Sequence, residues 1–403
     1  MDIVFLGGVY PKHLETEVIK NSRGRLDFAA NNLQLGIIDG LDICNHGPVR
    51  LCNLMKVGSY PKGYKKIIIK TEKFSHQNGA LDINIGFINI SGIKLFFRLI
   101  AGTVGLLRWA PIKEKNKVII IYEIHTPFLL ASIIVKSLYP RIKICLVAPD
   151  LPEFMSDNKN PFYRIFKIID KFIIELCLIK VDAFVLLSEF MTEKLNVRHR
   201  PFVRMEGIFN GKRYDFINDK NPYKTIMYSG NLDTNLGIME LLNAFTIIKK
   251  DDYRLWITGN GNGLSDILKA SKTDKRIKYW PALKQNELFE LQQKSTILIN
   301  PLRPDHRKTR YFFPSKTMEY MASGVPTLMY KLPCIPEEYH KYLLFFENFT
   351  IEGMRNKIVA ICEKPKKELI DFGMEAREFI LNKKNPEIQC GKIYSMLQEL
   401  FNK

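Results

Sequence analysis

The sequence predicts two consecutive α/β domains, each a doubly wound, largely parallel sheet with helices on both faces. Three observations carry this expectation. Short apolar, β-branched runs alternate with longer amphipathic stretches along the whole chain, the pattern of strand and helix in a sheet buried on both sides. The alternation pauses once, at the polar stretch NGKRYDFINDKNPYK, which reads as an interdomain linker. A length of 403 residues with 46% hydrophobic content exceeds one domain and suffices for two cores. The expected division is 1–209, a linker over 210–223, a second domain over 224–386, and a terminal helix over 387–403 that crosses back to the first domain.

Taken in order, the first half offers strands at IVFLGG (3–8), KKIIIK (65–70), LDINIGFIN (81–89), KVIIIYEI (117–124), IKICLVAPD (142–150), AFVLLS (183–188) and FVRMEG (202–207). Helices such as FLLASIIVKSL and FYRIFKIIDKFIIELCLI fit between them. In the second half KTIMYSGN (224–231), YRLWITGNG (253–261), RIKYWPA (276–282), TILINPL (296–302) and VPTLMY (325–330) read as strands. GIMELLNAFTIIKK and KQNELFELQQK are the helices between them.

Composition narrows the function classes. Sixty Lys and Arg against 42 Asp and Glu give a net charge of +18, which attracts an anionic partner without naming it. No helix-turn-helix, zinc finger or RNP-like aromatic motif is present, so nucleic acid is not expected. The seven cysteines are scattered with no CxxC pair, which argues against zinc or redox chemistry and for buried thiols of a reducing cytoplasm. MDIVFLGGVYPK reads as a first strand rather than a signal peptide. No run of about 18 uninterrupted apolar residues suggests a membrane span.

In open α/β sheets, ligands bind outside the carboxyl ends of the strands. On that edge lies FFPSKTMEYMASGVPT (312–327). Pro314 and Ser315 mark a helix start, with Ser315 the expected N-cap, and Gly324 with Pro326 its end. Met318, Met321, Ala322 and Val325 share one face, Lys316, Glu319 and Ser323 the other. A helix N-terminus with Lys316 in its first turn suits a phosphate. Glu319 can accept both hydroxyls of a ribose. The competing reading is an ordinary i, i+3 surface ion pair. The preceding loop RPDHRKTRYFFPSK is strongly basic and includes Arg310, which favours an anion site. Two further glycine turns, at Gly230–Asn231 and Gly259–Asn260–Gly261, fall on the same edge.

With YSGNL, GIMELLNAF, LWITGNGNG, IKYWPALKQNEL, INPL and FFPSKTMEYMASGVPTL in this order, the second half resembles the donor-binding domain of the GT-B glycosyltransferases, in particular the retaining, group 1, family-4-type enzymes. The resemblance implies two Rossmann-like domains facing across a cleft, and transfer of a sugar from a nucleotide diphosphate without an obligatory metal or other cofactor. It assigns Glu319 to the donor ribose and Trp280 and Ala282 to the base. Ser315, Lys316 and Thr317 go to the diphosphate and sugar, and Gly230 and Gly259 to the same pocket. Two departures from the family pattern involve three positions. Tyr311 stands where a first glutamate is usual, eight residues before Glu319, and Asn231 and Leu236 stand where a basic pair is usual. Either catalysis is lost, leaving a sugar-nucleotide or glycan binding protein, or Lys316 and Arg310 supply the missing charge. A nucleotide-sugar epimerase of similar architecture has no motif support.

The first half resembles the acceptor domain more loosely. The resemblance places Gly7 and Gly8 near the donor phosphates, His125 at the transferred sugar and Asp150 on the acceptor side, and implicates Ser188 and Glu206 more weakly. SGIKLFFRLIAGTVGLLRWAPIKEK and NPFYRIFKIIDKFIIELCLIK mix aromatic and basic residues. They read either as surfaces for an anionic membrane carrying a polyprenyl-diphosphate-linked acceptor or as core helices with polar outer faces.

Overall fold

The structure, a computed structural model, describes residues 1–24, 26–111, 116–154, 161–211, 220–281, 283–306 and 309–402. It divides into two compact units: Met1–Asn210 together with Asn385–Lys403, and Gly211–Lys384. Most of the expected linker, residues 212–219, lies outside the described residues.

The first unit is built on a sheet of eight strands. In chain order the strands of this unit are β1 (Asp2–Gly7), β2 (Arg50–Asn53), β3 (Ile68–Ile69), β4 (Glu72–Phe74), β5 (Asp82–Asn84), β6 (Phe87–Ile88), β7 (Lys117–Tyr122), β8 (Lys143–Ala148), β9 (Ala183–Leu186) and β10 (Phe202–Arg204). The sheet order is β10-β9-β8-β7-β1-β2-β5-β4, and β3 pairs with β6 in a separate two-stranded sheet. All pairings in the large sheet are parallel except β4 with β5. Strands β7 and β9 are buried from end to end and β8 at all but its first residue, as continuous apolar runs covered on both faces require.

Two sequence expectations change here. The run over 65–70 contributes only Ile68–Ile69, antiparallel to β6. The run over 81–89 is not one strand: β5 pairs with β2, its last ladder bond being Ile85 amide to Asn53 carbonyl at 2.7 Å, while Phe87–Ile88 pairs with β3 instead. Strand β2 goes unnoticed in the sequence, since RLCN is four residues with a polar residue at each end.

The helices of this unit are α1 (Glu15–Asn21), α2 (Phe28–Cys44), α3 (Lys94–Trp109), α4 (Thr126–Leu138) and α5 (Pro161–Leu178), joined by the terminal helix α13 (Pro386–Glu399). Ile37, Ile38 and Leu41 of α2 and Ile393 and Leu397 of α13 close one core over the sheet with Phe5, Ile120 and Val147. Burying Ile393 and Leu397 contributes about 3–6 kcal/mol, which explains why a chain segment from the far end of the sequence folds with this unit.

The second unit carries a six-stranded sheet of β11 (Lys224–Asn231), β12 (Tyr253–Asn260), β13 (Ile277–Trp280), β14 (Ile297–Asn300), β15 (Thr327–Met329) and β16 (Leu344–Phe345). Its order is β13-β12-β11-β14-β15-β16, parallel throughout. Helices α6 (Ile238–Thr246), α7 (Leu264–Thr273), α8 (Gln285–Gln293), α9 (Ser315–Ala322), α10 (Glu337–His340), α11 (Ile351–Cys362) and α12 (Lys366–Lys383) connect and cover the strands. All seven cysteines are free, and all but Cys44 are buried.

A buried ionic strut ties α2 to the β4–β5 edge. His76 Nε2 meets Asp42 Oδ2 at 2.8 Å and Nδ1 meets Asp82 Oδ2 at 2.7 Å. The other carboxylate oxygens accept the amides of Val49 and Leu51. Burial lowers the His76 pKa, but the hydrogen bonds and charges of Asp42 and Asp82 outweigh it and hold the imidazole up to about 9. A folded-state pKa above the unfolded value stabilises fully below about pH 6.5 and is lost as pH rises through about 9, worth about 3 kcal/mol at most. We therefore expect the stability advantage of the native protein over a His76→Gln variant to be largest at pH 6.5 and below and to shrink as pH rises to 9, read as the difference between their thermal midpoints at each pH.

Candidate active site

The carboxyl edge of the second sheet collects most of the residues singled out above. Gly230 and Gly259 end adjacent strands in register, and Trp280 ends the next strand opposite Thr258. Gly230 has φ +143° and Gly259 φ +141°, a region that favours glycine. A Cβ on Gly259 would lie 1.7 Å from the Gly230 carbonyl oxygen, and one on Gly230 would lie 2.8 Å from Lys316 Nζ. Both glycines are thus demanded by close approach, and one of the approaching groups is the Lys316 ammonium.

Helix α9 starts at Ser315, with Pro314 rather than Ser315 at the N-cap and no side-chain cap. The Thr317 amide is committed to the Pro314 carbonyl at 2.8 Å, whereas the amides of Ser315 and Lys316 find no acceptor among the described residues. The Thr317 side chain is buried against Met329 Sδ at 3.8 Å and does not face solvent. Ser323 is likewise buried, donating to the Tyr320 carbonyl, so the expected polar face of α9 narrows to Lys316 and Glu319.

What orients this helix is Tyr320, which is fully buried. Its hydroxyl accepts the Ser229 amide at 2.8 Å and donates to the Ser229 carbonyl at 2.9 Å, while Ser229 Oγ donates to it at 3.2 Å. One side chain therefore fastens α9 to the end of β11.

Lys316 does not pair with Glu319. Its ammonium donates to Tyr228 Oη at 2.8 Å and lies 4.1 Å from the centre of that ring, and Tyr228 Oη donates to the Asn231 carbonyl. Burial lowers the Lys316 pKa to about 7, against the opposing pull of Glu319. Glu319 is exposed, and its carboxylate makes no hydrogen bond or ion pair among the described residues. The protein surrounding it raises its pKa, which Lys316 counters. The surface ion-pair reading fails on this geometry.

Other assignments fare differently. The Asn231 side chain is locked in its own turn, donating to Asp233 Oδ2 at 2.7 Å and accepting the Asp233 amide at 3.1 Å. Trp280 packs edge-on to Trp256 at 5.7 Å and lies under Lys278 at 3.6 Å; its indole Nε1 is buried with no partner among the described residues. Arg310 is exposed and Tyr311 half-buried in the loop before α9. Ala282 lies outside the described residues. Tyr228, Tyr320 and Asp233 were not singled out from sequence; the tyrosines look like ordinary core residues there.

In the first unit, His125 follows β7 and Asp150 follows β8, on the carboxyl edge of that sheet. His125 is the N-cap residue of α4, edge-on to Phe128 at 4.7 Å, and its Nδ1 is buried without a partner among the described residues. Burial, then the charges of Arg98, Lys56 and Lys94, hold its pKa well below the ordinary value, so the ring is neutral. Asp150 is exposed. The Gly7–Gly8 turn is closed rather than open: Gly8 donates its amide to Gln34 Oε1 at 2.9 Å, and the Gly7 carbonyl accepts the Leu54 amide at 2.9 Å. Glu206 is held by Arg204 at 2.9 Å, and Ser188 is buried at a helix start.

Beside His125 stands a group the sequence did not reveal. Glu123 is buried with φ +66°, a strained setting for a side chain of this kind. Its carboxylate binds Lys56 at 2.5 Å. Lys94 donates to the Val57 carbonyl and Arg98 to that of Leu54 at 2.9 Å. The segment after β2 is thereby fixed by two buried cations with carbonyl partners. Among the described residues no cluster of three His, Cys, Asp or Glu is placed to hold a metal ion.

Residues 223–364 match the family model of group 1 glycosyl transferases. The fold is that of the GT-B glycosyltransferases. The chain is similar to sucrose-phosphate synthase from Thermosynechococcus elongatus at 13% identity and TM-score 0.66, with 100% of each chain covered. It is also similar to an alpha,alpha-trehalose-phosphate synthase (UDP-forming) from Burkholderia xenovorans solved with glucose-6-phosphate, at 11% identity and TM-score 0.63, covering 99% of this chain and 100% of that one. A TarM variant from S. aureus, solved with fondaparinux, alpha-GlcNAc-glycerol and UDP, matches at 14% identity and TM-score 0.53 over 85% of this chain and 66% of its own. No curated protein shows a significant sequence match. Within the matched segment, α9 depends on Tyr320. Tyr320→Phe leaves the buried Ser229 amide unsatisfied, and we expect a loss of about 1–3 kcal/mol, read as a lower denaturation midpoint of the full chain.

Proposed function

We propose that the protein transfers a sugar from a nucleotide-diphosphate sugar, with retention of configuration, to a glycan or polyprenyl-diphosphate-linked oligosaccharide in surface polysaccharide synthesis at the cytoplasmic side of a membrane. The observation that carries the donor reading is the division of labour on α9. Glu319 keeps both carboxylate oxygens free at the helix surface, while Lys316 is drawn over Gly230 at the helix start. A free carboxylate suits a ribose diol. A cation beside unengaged N-terminal amides suits a diphosphate.

On this reading Lys316 and the Ser315 and Lys316 amides stabilise charge on the departing diphosphate. Arg310 adds charge from the basic loop. Gly230 and Gly259 admit the backbone approach, and Trp280 flanks the base. His125, neutral and with an unpartnered ring nitrogen, is assigned to the hydroxyls of the transferred sugar, and Asp150 to the acceptor. Retention follows the family resemblance, and the reading requires no metal or other cofactor.

One observation favours a second reading, a GT-B protein that binds a sugar nucleotide or glycan without transferring it. Asn231, where the family has a basic residue, has its side chain tied to Asp233, so it gives the diphosphate no charge.

A thermal-shift panel of UDP, GDP, ADP and their sugars tests the donor site. At least one nucleotide is expected to raise the melting temperature, and none doing so would refute the reading. Glu319→Ala is expected to weaken nucleotide binding by about 10- to 150-fold, the value of one charge-assisted hydrogen bond. Lys316→Ala is expected to cut transfer by about 100- to 1,000-fold with a smaller effect on nucleoside binding. Release of nucleotide from the sugar donor in the presence of acceptor separates transferase from binding protein.

The pKa of about 7 at Lys316 adds a pH signature. A bound diphosphate raises that pKa, so binding takes up a proton. Affinity for the diphosphate nucleotide is then expected to fall about tenfold per pH unit above pH 7, until the pKa of the bound state is reached. Titration calorimetry of Lys316→Ala should show no such slope.

A further inference from the structure

We propose that the outer face of α3, α4 and α5 docks on an anionic membrane surface. This goes beyond the donor-site reading and involves no residue of the second unit.

The two apolar, basic segments were expected to be either membrane-facing or core helices with polar outer faces. The outer faces are not polar. On α3, Phe96, Ile100 and Val104 stand four residues apart, one stripe down the helix, and all are exposed, Phe96 to 60%. On α4, Ile134 and Leu138 continue the pattern at the same spacing, Leu138 exposed to 62%. On α5, Phe166, Ile169, Phe172 and Leu176 form a third exposed stripe, Phe172 at 60%.

These stripes belong to neighbouring helices, since α3 packs on α4 and α4 on α5. The inward faces are already used: Leu106 of α3, Phe128 and Leu129 of α4 and Ile174 of α5 are buried. The outward apolar surface therefore has no role in closing the core. An apolar face this broad marks an interaction surface.

Charge decides the occupant. Neither α3 nor α4 contains an acidic residue, and α5 contains only Asp170 and Glu175. Asp170 accepts from Thr126, and Glu175 lies 3.8 Å from Lys171. Exposed Arg108 closes the α3 stripe, and exposed Lys171 and Lys180 flank that of α5. A two-fold contact with a second copy would bring these cations against their own kind. An anionic lipid surface receives both the aromatic stripes and the basic rim.

The test is flotation of the full-length protein with vesicles of phosphatidylcholine alone or with 30% phosphatidylglycerol, in parallel with sedimentation velocity. We expect binding to the mixed vesicles that weakens in high salt and on phosphatidylcholine alone. The double substitution Phe96→Glu/Ile100→Glu, or Phe172→Glu alone, should lower binding at least tenfold. Lys171→Glu should lower it about fivefold or more on anionic vesicles and little on phosphatidylcholine. Because each change puts charge on an exposed face, the variants should fold, with melting temperature and nucleotide-induced shift retained. No binding of the native protein at low salt, or binding untouched by these substitutions, would overturn the proposal. So would a stable dimer that the same substitutions dissociate, since that result assigns the face to a second copy.

Discussion

The clasp between Tyr320 and Ser229 is the contact on which the candidate donor site hangs. Helix α9 is only eight residues long, too short to hold its own direction by helix propensity. Its buried tyrosine meets both the amide and the carbonyl at the end of β11, so the helix start is registered to the strand that also ends in Gly230. Everything that gives the site its character follows from this placement. Lys316 falls over Gly230 and onto Tyr228, Thr317 turns inward, and Glu319 is left outward with no internal partner.

The two cationic regions of the molecule are built on different principles. Lys316 rests on the ring and hydroxyl of Tyr228, which carry no opposing charge. Lys94 and Arg98 in the first unit instead spend their donors on backbone carbonyls after β2, and Lys56 takes Glu123. Burial brings Lys94 down to about 7 and Arg98 to about 10. Burial, with these charges adding to it, keeps His125 neutral, free to give or accept a hydrogen bond, and Glu123 in its left-handed setting meets Lys56.

Much of this was legible in the residues. Strands whose two faces are buried advertise themselves as unbroken apolar runs, and β7, β8, β11 and β12 were found within a few residues for that reason. Edge elements carry a weaker signal. RLCN at β2 and LF at β16 are too short to show a period, and the 81–89 run splits because its two halves find different partners in space. The motif FFPSKTMEYMASGVPT does form a helix, but spacing on a wheel misplaced Ser323, whose hydroxyl is absorbed by the core.

Residue order alone was enough for the fold class, for the edge on which to look, and for Glu319 and Lys316 as the residues to examine, since periodicity and turn chemistry are local properties. Whether those two side chains neutralise each other was decided only in three dimensions. The outcome depends on Tyr228, 88 positions away in sequence, presenting its hydroxyl to the ammonium. The same holds for the outer faces of α3 to α5: an amphipathic pattern names an apolar stripe, but only packing shows which stripe the core consumes and which is left facing solvent.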